Sequence, residues 1–416
     1  MAVGDATTTA SAPLARPRRR RGASPAVAIA SIAAALTAAV ICVGPALAIL
    51  ISAFTGARPA FDALQQSLFL DSAAGTIVLV ALGAGAATLF GALAALIVTL
   101  MRFPGRSFFE WLLGAPLAAP AYAIAYSYSS LTWAGGPVPV PLTGIAGAAF
   151  VYAVGFYPYV YLATRAALVA QSPSALDAAR TLGASPLRAT MQVALPLARP
   201  GVAAGAALVA MEIAADYGAA AHFGVPTIAT GIFRARGPHQ DALLGNQMAA
   251  ILLIAALAFL WLERASRGRR AFVTRDAQAR PGPRFSAPWP FAALAILVCA
   301  ALVFFGALLP MSWLARLAML NSNADVAALV GPLTNSIALA AIGAAATLVL
   351  AVLIARTARA GAVGRFAALF AATGYAAPGV VIALGALSVY GLMRSLGWVA
   401  GLGAPAALML LVWAYA

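Results

Sequence analysis

The sequence predicts an all-α polytopic membrane protein, and three observations carry that prediction. Hydrophobic residues make up 63% of the 416 positions and charged residues only 9%, a proportion that no single soluble core absorbs. Apolar stretches long enough to cross a hydrocarbon slab of about 30 Å, roughly 20 residues each, recur along the chain. The 26 basic residues are all arginine, with no lysine, and they cluster between the apolar stretches.

Taken in order, the stretches read as ten spans: 24–54, 76–101, 109–131, 144–168, 201–215, 242–262, 288–313, 333–354, 366–393 and 403–416. A basic segment, 1–23, precedes the first, whose apolar run is too long for a cleavable signal. With the N-terminus in the cytoplasm, 21 of the 26 arginines fall on cytoplasmic segments; only Arg58, Arg234, Arg236, Arg316 and Arg394 fall outside. The net charge of +15 is therefore first a topology signal, with an added attraction to anionic membrane lipid. Nucleic acid is not the expected partner, because the run RPRRRRG has no interleaved aromatics and leads directly into a span. Cys42 and Cys299 sit mid-span with no Cys or His at ligand spacing, which suits small buried side chains.

An internal repeat organises the chain. GAGAATLFGALAALI from Gly83 matches GAAATLVLAVLIA from Gly343, with Thr88-Leu89 on Thr347-Leu348. Each is followed by a Gly-Arg turn, Gly105-Arg106 and Gly364-Arg365, and then by a span carrying a proline, Pro120 and Pro378. The Arg- and Pro-rich linker 264–287 divides a first half, 24–263, from a second, 288–416.

The stretch 172–196, SPSALDAARTLGASPLRATMQVALP, is polar amid membrane spans. Ser172-Pro173 offers an N-cap and a first-turn proline, and Ala175, Ala178, Ala179 and Leu182 form an apolar stripe at helical spacing. Gly183 suits a left-handed C-terminal cap. Ser185-Pro186 then restarts a helix with Leu187, Met191 and Leu195 on one side, and Pro196 and Pro200 mark the return to the membrane. The expected product is a rigid knuckle on the cytoplasmic face.

Asp177-Ala178-Ala179, Gly183 six residues after the aspartate, and Val193-Ala194-Leu195-Pro196 after nine intervening residues resemble the cytoplasmic loop of ABC importer permeases, whose pattern is E-A-A, three residues, G, nine residues, I-x-L-P. Asp for Glu and Val for Ile are the departures. The resemblance implies a type I ABC importer permease fold of two tandem repeats, in the bacterial inner membrane. It also implies that Asp177, Ala178, Ala179, Gly183, Val193, Leu195 and Pro196 couple the chain to a cytoplasmic ABC ATPase dimer. A phosphate-binding loop needs its lysine and this chain has none, so ATP and Mg belong to that partner. No cofactor is expected on the chain itself, and no catalytic set of nucleophile, base and orienting group is apparent.

The segment MEIAADYGAAAHFGVPTIATGIFRARG, 211–237, is similar to ferric-iron importer permeases, carried by Glu212, Asp216, Tyr217, Gly218, Phe223, Gly224, Val225 and Thr227. That resemblance implies ferric iron delivered by a periplasmic binding protein. Thiamine importer permeases share the two-half layout but tend to show a G-G-G-P run that is missing here. Hard ferric iron favours carboxylate and phenolate oxygen, so Glu212, Asp216, Tyr217 and His222 are the substrate-path candidates, with Asp241 and His239 nearby. A structural or gating role for these residues stays open beside direct ligation. Polyamine and phosphonate permeases are alternatives, as is a secondary transporter, although acids within spans are nearly confined to Glu110 and Glu212. If the halves are true repeats, the second stops short of its own coupling loop, so a longer fused permease with about two further spans is expected.

Overall fold

The computed structural model describes residues 43–55, 63–132, 137–138, 141–170, 173–237, 241–267, 284–320, 326–358 and 378–397. Residues 24–42 of the first expected span, most of the linker, residues 366–377 of the ninth and the whole tenth lie outside the described residues. Among the described residues six helices are long and apolar enough to cross a membrane, and one further bent pair passes the same test as a unit.

The centre of the bundle is α5, Gly144–Val169, which packs between α2, Ala63–Leu100, and α8, Leu195–Ala215. Tyr152, Tyr157 and Tyr161 of α5 are fully buried at these contacts. In lipid no hydrophobic force drives helices together, so close backbone approach through small residues has to supply the contact energy. Two glycines supply it here. A Cβ on Gly91 of α2 would stand 2.4 Å from the Tyr157 carbonyl oxygen, and one on Gly205 of α8 would stand 2.6 Å from the Val160 Cα.

Three expected spans differ in the structure. The span at 109–131 is not straight: Arg106–Ala118 and Ala121–Thr132 meet at 88°. Its parts are α3, Arg106–Leu112, a 3-10 turn at Ala115–Ala118, and α4, Ala121–Thr132. The cause is Pro120, which cannot donate a helical hydrogen bond and pushes Ala119 into extended backbone at φ −108 and ψ 132. The span expected from 76 belongs to a helix that starts at Ala63. The short span at 201–215 belongs to a continuous apolar run, Pro186–Ala215, of 30 residues. That run passes Pro196 because a π turn at Thr190–Ala194 directly precedes it, and the wider turn absorbs the missing N–H.

Another π turn, Phe304–Leu308, joins α12, Trp289–Val303, to α13, Leu309–Leu320. π turns release carbonyl groups, and two from this region are satisfied by α4: Tyr128 donates its hydroxyl to the Phe305 oxygen at 2.5 Å, and Ser127 to the Pro310 oxygen at 3.1 Å. Trp313 Nε1 donates to Ser130 Oγ at 2.9 Å, completing the seam between α4 and α13. Helix α14, Val326–Ala358, carries exposed Leu329, Leu333, Ile337, Ile342 and Leu348 and stands at the outside of the bundle. The last described helix, α15, Gly379–Ser395, packs on α11, Ala242–Arg267, and meets α1, Val43–Phe54, where Gly385 approaches Pro45.

A two-residue parallel pair closes one end of the bundle. β1, Met101–Arg102, follows α2, and β2, Phe285–Ser286, leads into α12, in the register Met101 to Phe285 and Arg102 to Ser286.

Candidate functional site

The knuckle is two short helices, α6 at Pro173–Thr181 and α7 at Pro186–Ala189. Gly183 adopts φ +83, and the backbone around it forms a double closure: Gly183 N–H donates to the Arg180 oxygen at 2.9 Å and Ala184 N–H to the Ala179 oxygen at 3.0 Å. This is a Schellman cap, which ends α6 while satisfying its last carbonyls. Ser185 starts α7 with a long cap of 3.4 Å from Arg188 N–H to its hydroxyl oxygen.

Burial divides the knuckle differently from the apolar stripe expected along it. Leu176, Ala189 and Ala194 are the buried anchors and join the main core, with Ala179 and Ala184 packed against it. Ala178 and Leu182, both of the expected stripe, face solvent, Leu182 at 87% exposure. Of the coupling candidates, Asp177, Ala178 and Gly183 are exposed, whereas Ala179, Val193, Leu195 and Pro196 are half-buried. Leu182, Leu187 and Met191 therefore form an apolar surface at the end of the bundle, presented by a rigid turn.

The expected substrate segment folds as α9, Gly218–His222, and α10, Ile228–Arg236. Asp216 ends α8 and caps α9: its Oδ2 accepts the Ala219 N–H at 2.9 Å and the Tyr152 hydroxyl at 2.6 Å. Tyr217 is 41% exposed, with its ring 4.2 Å from that of Phe233. The ring nitrogen Nε2 of His222 lies 2.6 Å from the Ser129 hydroxyl, and the edges of Tyr122 and Tyr126 flank the ring. Glu212 is half-buried and has no hydrogen-bond or ion-pair partner among the described residues. Asp216 and His222 thus hold α9 in place, Glu212 stands one helical turn before Asp216 near the end of α8, and Tyr217 packs on Phe233. Among the described residues no group of three His, Cys, Asp or Glu could hold a metal ion. His239 lies outside the described residues, and Asp241 accepts the Leu244 N–H at 3.0 Å at the start of α11.

The stretch Phe223 to Thr227 is the turn between α9 and α10. Val225 N–H donates to the Ala220 oxygen and Gly224 N–H to the Ala221 oxygen, a second Schellman cap with Gly224 at φ +68. Thr227 then opens α10 in a capping box with Thr230, and the Ile228 N–H donates to Thr76 Oγ1 of α2 at 2.8 Å. These residues are spent on turn chemistry and on contact with α2.

Residues 87–318 match the family of binding-protein-dependent transport system inner membrane components. The chain belongs to that family. Its all-α polytopic architecture is the type I ABC importer permease fold. An iron(III)-transport system permease of Haemophilus influenzae is 25% identical over 182 residues, covering 44% of this chain and 34% of the relative. Sulfate transport system permeases of Salmonella typhimurium and Escherichia coli are 32% and 31% identical over 139 residues, covering 31% of this chain and 50% of each relative. The chain thus spans between about a third and a half of the length of the curated relatives it matches.

Several residues that organise this permease escaped the reading of its sequence. Tyr152 fixes Asp216 from 64 positions away. Phe285, near the end of the Arg-rich linker, is buried and lies under the Arg180 guanidinium of the knuckle at 5.2 Å. Glu110, expected as an intramembrane acid, is ion-paired to both Arg106 and Arg165, and Tyr161 donates to its backbone oxygen at 2.8 Å.

Proposed function

We propose that the chain is the membrane permease of an ATP-driven importer, in which a cytoplasmic ABC ATPase dimer seats on the knuckle and a periplasmic binding protein delivers ferric iron. The observation that carries the coupling part is the exposure of Leu182, Leu187 and Met191 on a turn rigidified by Gly183. Apolar side chains gathered at a polar bundle end call for a covering partner. ATP and Mg act on that partner, and the knuckle receives its closure as a push on α6 and, through the π turn, on α8. The N-terminus lies in the cytoplasm by the arginine asymmetry. In the two-half division at 264–287, Pro120 and Pro378 occupy like positions, each directly before a helix, α4 and α15.

Iron as cargo is supported by the longer stretch of similarity to the iron(III) permease and by the Glu212–Tyr217 segment. Sulfate is the second reading, favoured by the higher identity of the sulfate permeases and by the lack, among the described residues, of a cluster of three His, Cys, Asp or Glu. Uptake into proteoliposomes holding the permease, its ATPase and its binding protein decides between them. Labelled ferric iron entering only with ATP supports the proposal, and labelled sulfate entering in its place reassigns the cargo. Uptake of either without the ATPase would replace the importer by a secondary transporter.

A further inference from the structure

At the knuckle end of the bundle a recess of about 400 Å³ is lined by Arg102, Arg106 and Arg284, with Ser107, Phe103 and Phe108 completing most of its wall. The pairing of β1 with β2 assembles it, because it sets Arg102 beside Ser286 and so brings Arg284 close. Its charge is not neutralised within the fold. Glu110, the acid on α3, already serves both Arg106 and Arg165, and Arg106 also donates to the Val98 oxygen at 2.8 Å. Arg102 and Arg284 have no hydrogen-bond or ion-pair partner among the described residues. Burial, and after it the neighbouring Arg106 and Arg102, press the Arg284 guanidinium below its ordinary value, as expected of a cation cluster awaiting an anion.

A second recess of about 500 Å³ begins where the first ends. Phe108 lines both, and the second runs on between α3 and α12 along Phe109, Leu112, Leu297, Ala301 and Phe304, with no charged residue in its wall. Phe108 is 65% exposed and Trp111, on the next turn of α3, is 86% exposed, which suits the headgroup level of a bilayer where tryptophan concentrates. A basic recess continuous with an apolar groove, at the boundary of hydrocarbon and water, has the outline of one amphiphile.

We propose that these two recesses form a single binding site for an anionic phospholipid, with the phosphate diester among Arg102, Arg106 and Arg284 and an acyl chain in the groove between α3 and α12. A free oxyanion would use the arginines and leave the groove idle; a zwitterionic lipid would bring its own cation against them. The bidentate fork of arginine fits a phosphate oxygen pair, and basic pockets between membrane helices on the cytoplasmic side favour anionic headgroups. The site touches the strand that Arg180 of the knuckle covers, so an occupying lipid braces β1, β2 and the knuckle together.

Native mass spectrometry of the full chain in non-ionic detergent, titrated with phosphatidylglycerol or phosphatidylcholine, tests the site. Phosphatidylglycerol should bind about tenfold or more tightly than phosphatidylcholine, and in an R102Q/R284Q variant, at about fivefold per arginine, that preference should be lost. An Ala301→Trp variant keeps every arginine but fills the groove, and should weaken phosphatidylglycerol while leaving the thermal midpoint of the lipid-free chain in place. Equal affinity for the two lipids in the unmodified chain overturns the proposal, as does a preference that survives R102Q/R284Q or binding that is indifferent to Ala301→Trp. Displacement of phosphatidylglycerol by millimolar inorganic phosphate or sulfate would assign the arginines to a free oxyanion and also overturn it.

Discussion

The guanidinium of Arg180 lies over the ring of Phe285, 5.2 Å from the ring centroid, and joins the last turn of α6 to the strand that leads into α12. The knuckle of one part of the chain is thereby tied to the first helix after the linker. A cation–π contact at an exposed site contributes about 0.5–1 kcal/mol. Arg180→Gln should therefore reduce cargo moved per ATP by about two- to fivefold, with the permease still copurifying with its ATPase. Unchanged stoichiometry would mean that the contact is not part of the coupling path.

Gly183 makes a cleaner test of the knuckle than any apolar residue on it. No atom lies within 4 Å of a Cβ built there, so a substitution meets empty space and feels only the backbone at φ +83. A left-handed conformation costs an ordinary L-residue about 1–2 kcal/mol. Gly183→Val should abolish uptake with membrane insertion intact, and Gly183→Asn, which tolerates this region better, should retain part of it. Normal transport by the valine variant would remove the knuckle from the mechanism.

Replacing Gly205 by Leu tests the packing of α8 on α5. The added side chain meets the Val160 backbone, whose Cα would lie 2.6 Å from the new Cβ. Overpacking of this kind costs about 1–3 kcal/mol, and the variant should lose thermal stability in detergent. Gly85 has nothing within 4 Å of its Cβ position, so Gly85→Leu should be close to neutral in the same measurement.

Asp216 separates a helix cap from a cargo ligand. If its carboxylate serves to start α9, Tyr152→Phe and Asp216→Ala should both lower the thermal midpoint, the first by removing one hydrogen bond to a charged group, worth about 1.5–3 kcal/mol, and the second by removing two. Loss of uptake in Asp216→Ala with the midpoint unchanged would instead mark Asp216 as a contact to cargo.

Orientation is open to labelling. A cysteine at Thr181, exposed on the knuckle, should be shielded from an impermeant thiol reagent in intact spheroplasts, and one at Thr55, exposed after α1, should react. The reverse pattern would invert the arginine-based topology.

The knuckle was legible in the sequence because its structure is local. Pro173, Gly183, Ser185 and Pro186 act within a few residues of themselves, through caps and fixed dihedrals, and those preferences hold in almost any surroundings. The spans were legible for the same kind of reason: a run of apolar residues in a bilayer must close its own hydrogen bonds, and a helix does so without help from elsewhere. The segment 211–237 was legible as a pattern, and the structure shows what part of that pattern builds. Gly224 and Val225 close the cap of α9, and Thr227 opens α10.

What the sequence determined by itself is therefore the helical membrane class and the capped turn at Gly183; the break at Pro120 in the third span came from the structure. What only the tertiary structure decided is which apolar faces turn inward and which distant residues meet. In lipid the packed face and the lipid face of a helix are both apolar, so no periodicity distinguishes them; that α5 lies at the centre is decided by Gly91 and Gly205 meeting Tyr157 and Val160. Tyr152 with Asp216, Arg180 with Phe285, and Arg284 with the Arg102–Arg106 turn are brought together by long-range packing. Each partner alone reads as an ordinary tyrosine, phenylalanine or topology-setting arginine, because the chemistry belongs to the pair and the chain separates its members by many turns of helix.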